Sequence, residues 1–288
     1  MSGRLRLRPD RGALRVRGTQ LEWGARTYVM AIVNVTPDSF SDDGLDDARA
    51  ATAHAFVQWG SGADLLDIGG ESTRPGHEPV PEAVEIERVV PVIRELRAHL
   101  PHAPISIDTY KSGVVRAAHA AGADIVNSVW GATDELLDVV AELEMPLIAM
   151  HNQHGTHYDG NVVDAVLAYL DDCATRAVLR GIAREATVLD PGIGFGKTAD
   201  QNLEVLRALD RVAGLGFPTL IGASRKSTIG KLTGRTPRER VFGTVAITAL
   251  AVGAGIDVVR VHDVVAARDA VSVADAIVRD WRPDNWIE

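Results

Sequence analysis

The stretch VLDPGIGFGKT, residues 188–198, decides how the rest of the chain is read. It opens as a β-branched run, ends in Gly-Lys-Thr, and looks like a nucleotide phosphate loop. Such a loop requires a glycine five positions before the second one, because a nest of backbone N–H groups must wrap the phosphates. Counting back five from Gly196 reaches Pro191, which has no N–H to donate and a fixed φ. The preceding Asp190 would place an anion where phosphate oxygens must sit. An ATP loop is therefore set aside. The stretch reads as a strand that ends in a functional aspartate and runs into a glycine-rich turn.

Seven further runs share that design: TYVMAIVNV (27–35), ADLLDIGG (63–70), PISIDTY (104–110), ADIVNSV (123–129), MPLIAMHN (145–152), PTLIGAS (218–224) and DVVRVHD (257–263). Between them lie helix-like segments such as DARAATAHAFVQWGS (47–61), EIERVVPVIRELRAHL (85–100), SGVVRAAHAAG (112–122), ELLDVVAELE (135–144) and NLEVLRALDRVAGLG (202–216). Several close on Gly, a helix C-cap signal. Eight strand–helix pairs predict an α/β fold of the (β/α)₈ barrel type, which takes roughly 250 residues. A doubly wound open sheet would need a glycine fingerprint after its first strand, and MAIVNVTPDSF (30–40) is not one. The expected division is an N-terminal β-hairpin over 1–26, one barrel over 27–280 and a tail over 281–288.

Each strand run ends in polar chemistry: Asn34, Asp67, Asp108, Asn127, His151, Asp190, Ser224, then Arg260 and His262. Barrel strands are apolar because both faces are covered, and barrel enzymes build their sites at the C-terminal rim. A helix-capping role would account for one or two of these residues; one shared site accounts for them all.

The bulk numbers narrow the class. Of 288 residues, 46% are hydrophobic and 24% charged, an ordinary globular composition, and the net charge is −9. That charge argues against nonspecific nucleic-acid binding as the main activity. The arginine-rich start has six arginines in its first seventeen positions, alternating with Leu or Val; it is expected to be a hairpin with one wet face. No membrane partner is expected. Cys173 is the one cysteine, which excludes an intrachain disulfide and suits a cytoplasmic setting. The apolar stretch FGTVAITALAVGAG (242–255) is too short to span a bilayer and reads as a tightly packed helix.

The rim residues suggest a ligand. Asp108, Asn127 and Asp190 come from three strands and suit a flat heterocycle bearing amino and ring N–H donors, since one carboxylate accepts two parallel N–H bonds; the same groups could also bind Mg²⁺. Lys226, in GASRKST (222–228), adds a cation. Arg260 and His262 lie two apart on a strand, so they face the same way and suit a phosphate or diphosphate. Arg74 could add a second guanidinium from the loop GGESTRPGHEP (69–79), which, like NVTPDSFSDDG (34–44), reads as a lid. Asn34 could hold Mg²⁺–diphosphate through its amide oxygen. His151, His154 and His157 lie close together, but their spacing is not a helical zinc motif.

Taken together, NVTPDSFSDDG, DIGGESTRPG, SIDTYKSGVVRAA, LDPGIGFGKT, ASRKSTIGKL and RVHDV resemble the dihydropteroate synthase family, in family order from about Met30 to Val264. The resemblance implies a (β/α)₈ barrel, a Mg²⁺ cofactor and a homodimer. It also implies joining of 4-aminobenzoate to 6-hydroxymethyl-7,8-dihydropterin diphosphate, with sulfonamides as competitors. By that resemblance, Asp108, Asp190 and Lys226 are catalytic, and with Asn127 and Met150 they bind the pterin. Asn34, Thr73, Arg74, Arg260, Val261 and His262 hold the diphosphate, with Asn34 on the metal. Phe40, Thr73, Pro75 and Ser227 line the 4-aminobenzoate site, and Asp38 shares the lid with Phe40. One departure stands out: the family pairs the Asn of the fourth run with Asp, and here Asn127 is followed by Ser128, which removes a carboxylate expected beside the pocket.

Overall fold

A computed structural model describes residues 10–35, 45–71, 79–283 and 286. Two short strands come first, β1 (Ala13–Val16) and β2 (Thr19–Glu22), paired antiparallel. The barrel strands follow: β3 (Tyr28–Asn34), β4 (Leu65–Gly69), β5 (Ile105–Asp108), β6 (Ile125–Ser128), β7 (Leu147–Met150), β8 (Thr187–Asp190), β9 (Leu220–Ile221) and β10 (Val258–Val261). They form one parallel eight-stranded sheet in the order β8-β7-β6-β5-β4-β3-β10-β9. A parallel bridge between Leu189 and Thr219 joins its two ends, with the Leu189 N–H donating to the Pro218 carbonyl at 2.9 Å. The barrel expected from the eight runs is thus present and closed. The helices are α1 (Leu45–Gly60), α2 (Glu82–His99), α3 (Ser112–Ala121), α4 (Asp134–Glu142), α5 (Val162–Leu179), α6 (Ala199–Arg207), α7 (Leu209–Ala213), α8 (Ser227–Thr233), α9 (Val241–Ala254) and α10 (Val264–Val278). The segment read as one helix over 202–216 is broken at Ala208 into α6 and α7.

Strand alternation sorts the side chains into two cores. One set, including Val29, Ala31, Leu66, Ile68, Ile107, Val126, Ala149, Leu189 and Val259, meets the helices. The other set points into the lumen, and it changes character along the strands. At the N-terminal ends it is Tyr28, Met30, Leu65, Ile125, Ile148, Val188, Leu220 and Val258. At the C-terminal ends the same face carries Asn34, Asp67, Asp108, Asn127, Met150, Asp190 and Arg260. Apolar residues fill the floor, and polar ones occupy the mouth.

The hairpin plugs that floor. Leu14, Val16, Leu21 and Trp23 pack against the lower lumen residues, and burying a side chain of this size contributes roughly 1.5–3 kcal/mol. Arg15 and Arg17 face outward, as the alternation predicts. Arg11 does the opposite. It is buried and donates to Asp257 Oδ2 at 2.6 Å, bolting the hairpin to the base of β10. The remaining arginines of the run, Arg4, Arg6 and Arg8, lie outside the described residues.

Candidate functional site

The site grows from the turn after β8. Asp190 ends the strand, and its Oδ1 accepts the Gly192 N–H at 2.8 Å, so the carboxylate caps its own loop. Gly192 has φ +69°, and a Cβ there would lie 1.9 Å from the His151 carbonyl oxygen, so only glycine fits. Lys197, the lysine of the phosphate-loop look-alike, turns back into this loop. It donates to the carbonyls of Gly192 and Phe195, both at 3.0 Å, and lies 2.9 Å from His151 Nδ1. Burial pushes the Lys197 ammonium down to about 7, and burial and Lys197 push the His151 imidazole down to about 3. This pair fixes the loop; it leaves no cation for a nucleotide.

Across the lumen, Asp67, Asp108, Asn127 and Arg260 form one network. Arg260 donates through Nε to Asp67 Oδ2 at 2.5 Å and through Nη2 to Asp108 Oδ2 at 2.6 Å. Asn127 Nδ2 donates to the same Asp67 oxygen at 3.0 Å. Asp67 is fully buried and Asp108 nearly so. The other oxygen of each carboxylate has no hydrogen-bond partner among the described residues, so each holds an unmet acceptor. Burial, against the pull of Arg260, pushes the Asp108 carboxyl up to about 7. Burial also pushes Asp190 up to about 6, against Gly192 N–H, Lys226 and Arg260.

Lys226 enters from the turn after β9. Its Nζ lies 3.8 Å from the centre of the Phe195 ring. Its stem packs on Gly194, where a Cβ would come within 2.8 Å of Cδ. Lys226 acts electrostatically on Asp108, Asp190 and His262, so these four groups share one mouth. His262 closes the ring. Ser224 Oγ accepts its backbone N–H at 3.2 Å and lies 3.0 Å from its Nδ1. Burial, then Arg225 and Arg260, push the imidazole down to about 3, so it is neutral near pH 7.

The sequence-predicted residues distribute as follows. Asp108, Asn127, Met150, Asp190, Lys226, Arg260 and His262 converge. Asn34 ends β3 on the lumen side, half-buried, and Ser227 is the exposed first residue of α8. Val261 packs among the helix-facing residues, so only its backbone is available to a ligand. Phe40, Asp38, Thr73, Arg74 and Pro75 lie outside the described residues, as does most of both loops read as lids. Ser128 corrects an expectation: it alternates with Asn127 and pairs in register with Ala149, so it faces the helices rather than the pocket. The substitution there leaves the mouth untouched, although the buried Ser128 Oγ has no partner among the described residues. The three histidines do not assemble: His154 packs against Trp130 with the rings tilted by 36°, and His157 contacts Asp159. Phe195 and Asp67 were not assigned roles from sequence. Asp67 carried a signal, as a strand-end acid; a phenylalanine between glycines did not. A cleft of about 610 Å³ lies at the opposite end, between the hairpin, the ends of α3 and α4 and the turn after α5, and contains none of these residues.

A closed (β/α)₈ barrel whose mouth gathers carboxylates, an amide, a lysine, an arginine and a histidine defines a barrel enzyme with its polar groups at the C-terminal rim. Comparison with known proteins agrees. Residues 30–262 match the family described as "Pterin binding enzyme". A dihydropteroate synthase of Synechocystis is 46% identical over 275 residues, 92% of this chain and 93% of that one. The solved dihydropteroate synthase of Xanthomonas albilineans with 4-aminobenzoic acid is 46% identical, covers 92% of this chain and 97% of its own, and superposes with a TM-score of 0.87. That of Yersinia pestis, in complex with a sulfonamide drug, is 36% identical, covers 93% and 100%, with a TM-score of 0.85. The chain belongs to the pterin-binding enzymes, within the dihydropteroate synthase family.

Proposed function

We propose that this chain is a transferase that joins 4-aminobenzoate to 6-hydroxymethyl-7,8-dihydropterin diphosphate, releasing diphosphate and forming 7,8-dihydropteroate for folate synthesis. The convergence of Asp108, Asn127, Asp190 and Lys226 at the mouth supports this reading most strongly. In this reading ionised Asp190 accepts two parallel N–H bonds from the pterin edge. Asp108 and Asn127 hold the ring from the far side, Met150 lies beneath it, and Lys226 donates to a ring oxygen or nitrogen. Arg260, through the nitrogen not spent on Asp67 and Asp108, grips the diphosphate with His262. The Ser224 hydroxyl, already accepting the His262 N–H, donates to Nδ1, so Nε2 carries the proton and faces the anion as a neutral donor. Asn34, Thr73, Arg74 and the Val261 backbone complete that anion site. Ser227, with Phe40, Thr73 and Pro75, takes 4-aminobenzoate, and sulfonamides compete there.

The chemistry then requires little else. Departure of diphosphate leaves a methylene cation conjugated to the ring, and the buried carboxylates of Asp108 and Asp190 stabilise it. The aryl amine attacks that carbon and the resulting acidic anilinium loses its proton to water, so no covalent nucleophile is needed. Among the described residues no cluster of three or more His, Cys, Asp or Glu is placed to hold a metal. Asn34 fits a magnesium ion carried by the substrate, which needs few protein oxygens because diphosphate and water fill the rest. When bound, the ion neutralises the leaving diphosphate. Turnover with the pterin diphosphate and 4-aminobenzoate is the test: product only when both are present supports the reading, and its absence overturns it.

The raised Asp190 gives a pH signature. A carboxyl moved up from 3.8 to about 6 keeps its proton until that pH, and only the ionised form accepts both ring donors. Pterin affinity should therefore rise as pH climbs through about 6, and the Asp108 carboxyl, raised to about 7, carries the rise further before it levels off. Calorimetric titration with the pterin diphosphate checks this, and a profile flat between about pH 5 and 8 would refute it.

The reading extends to a cytoplasmic homodimer in which the chain acts as a single barrel with a hairpin plug. No described helix is long and apolar enough to cross a membrane. Helix α9 carries no charged residue, yet only Thr244, Thr248, Ala251 and Val252 of it are buried. With α10 it exposes Phe242, Leu250, Val265, Val273 and Ile277, an apolar face that a second copy would cover. Changing Phe242 and Leu250 together to glutamate should give a folded monomer by light scattering. A dimer that survives the double change would exclude this face.

A further inference from the structure

The turn that carries Lys226 contains a backbone conformation that its sequence does not favour. Arg225 has φ +58°, the left-handed region, where a side chain is costly and glycine is free. Three contacts hold it there. Its N–H donates to Thr244 Oγ1 at 3.1 Å, and its carbonyl accepts from Arg240 Nη1 at 2.9 Å. Its guanidinium forks onto Asp263, Nε to Oδ2 at 2.9 Å and Nη2 to Oδ1. Glycine would give the same turn without strain, so what the arginine adds is the fork.

The fork joins two loops. Arg225 sits between Ser224 and Lys226, after β9. Asp263 directly follows His262, after β10, at the start of α10. The left-handed turn sends Arg225 to Asp263 while its neighbours serve the mouth: Ser224 contacts the His262 ring, and Lys226 lies over Phe195. Both partners are partly buried, with side chains 29% and 24% exposed, where a bidentate pair is geometrically specific. Ring-side and anion-side groups lie on opposite sides of the bond that breaks, and these two loops carry one of each.

We infer that the Arg225–Asp263 pair is a positioning device that sets Lys226 in register with His262. The inference rests on the function proposed above. An error of about 1 Å between the two loops would weaken transition-state contacts more than ground-state binding. Arg225→Gly keeps the turn without the fork, Asp263→Ala removes the partner, and the double variant tests whether they act as a unit. For the folded single variants, kcat should fall about tenfold or more, while KM for either substrate changes less than about threefold. The double variant should be no worse than the worse single. Thermal unfolding separates this from a scaffold role, which would lower Tm but leave kcat per folded enzyme unchanged. Unchanged kcat in the folded single variants, or additive losses in the double, overturns the positioning role while wild-type turnover leaves the function standing. A wild-type enzyme without turnover overturns both.

Discussion

Replacing Arg260 with methionine is expected to cost about 3–5 kcal/mol of stability, as removing one partner of a buried ion pair does, and to abolish turnover. The reason is the company Arg260 keeps. It is the cation shared by Asp67 and Asp108, at 2.5 and 2.6 Å, with Asp67 at 0% exposure. Methionine fills the space but leaves two buried carboxylates facing each other. The fold would respond by holding a proton, and Asp108, already pushed upward by burial, is the acceptor. The sign follows: a folded-state carboxyl raised above its unfolded value loses stability as pH rises through it. The variant should therefore be weakest relative to wild type near pH 8 and recover toward pH 5. Urea unfolding at both pH values is the measurement. A neutral-pH stability within about 1 kcal/mol of wild type, less than leaving a buried charge unpaired should cost, would show that the network does not depend on its arginine. Arg260→Lys should fall between the two, because a single ammonium cannot bond both carboxylates in the planar geometry of the fork.

Much of this was legible in the chain, for a definite reason. Period-two alternation fixes which strand residues enter a barrel, so strand-end acids such as Asp108 and Asp190 declare both their face and their height. Pro191, with no N–H to donate, and the anion Asp190 distinguish the look-alike from a true phosphate loop. What the sequence withheld were relations between strands. Nothing local says that Arg260 would spend two nitrogens on Asp67 and Asp108, since those partners lie 193 and 152 residues away. Nor does it say that Lys197 would bind its own loop. Ser128 misled because its neighbour Asn127 points into the pocket, and adjacent strand residues point to opposite faces. Phe195 gave no signal because its role comes from lying under Lys226, a contact made only when β8 and β9 close the barrel.

Asp190→Asn should be the most damaging change that leaves the fold intact. Asparagine keeps the volume and an oxygen that can still accept the Gly192 N–H, now held at 2.8 Å. What disappears is the second anionic acceptor, replaced by an NH₂ that meets the ring's own donors head on. Losing one or two charge-assisted hydrogen bonds, at about 1.5–3 kcal/mol each, predicts a drop in kcat/KM on the order of 10–10⁴. Affinity and rate should fall together, because Asp190 serves the bound ring and also the positive charge that develops when diphosphate leaves. The pH step near 6 should vanish from the binding curve, leaving only the rise that Asp108 contributes near 7. Asp190→Ala should lose similar activity but also loosen the turn, because the Gly192 N–H is left unpaired in a buried position. Its Tm should therefore fall where that of the asparagine variant holds. Steady-state kinetics and thermal unfolding of the two variants together separate the charge from the cap; equal kinetics for wild type and Asp190→Asn would remove Asp190 from the ring site altogether.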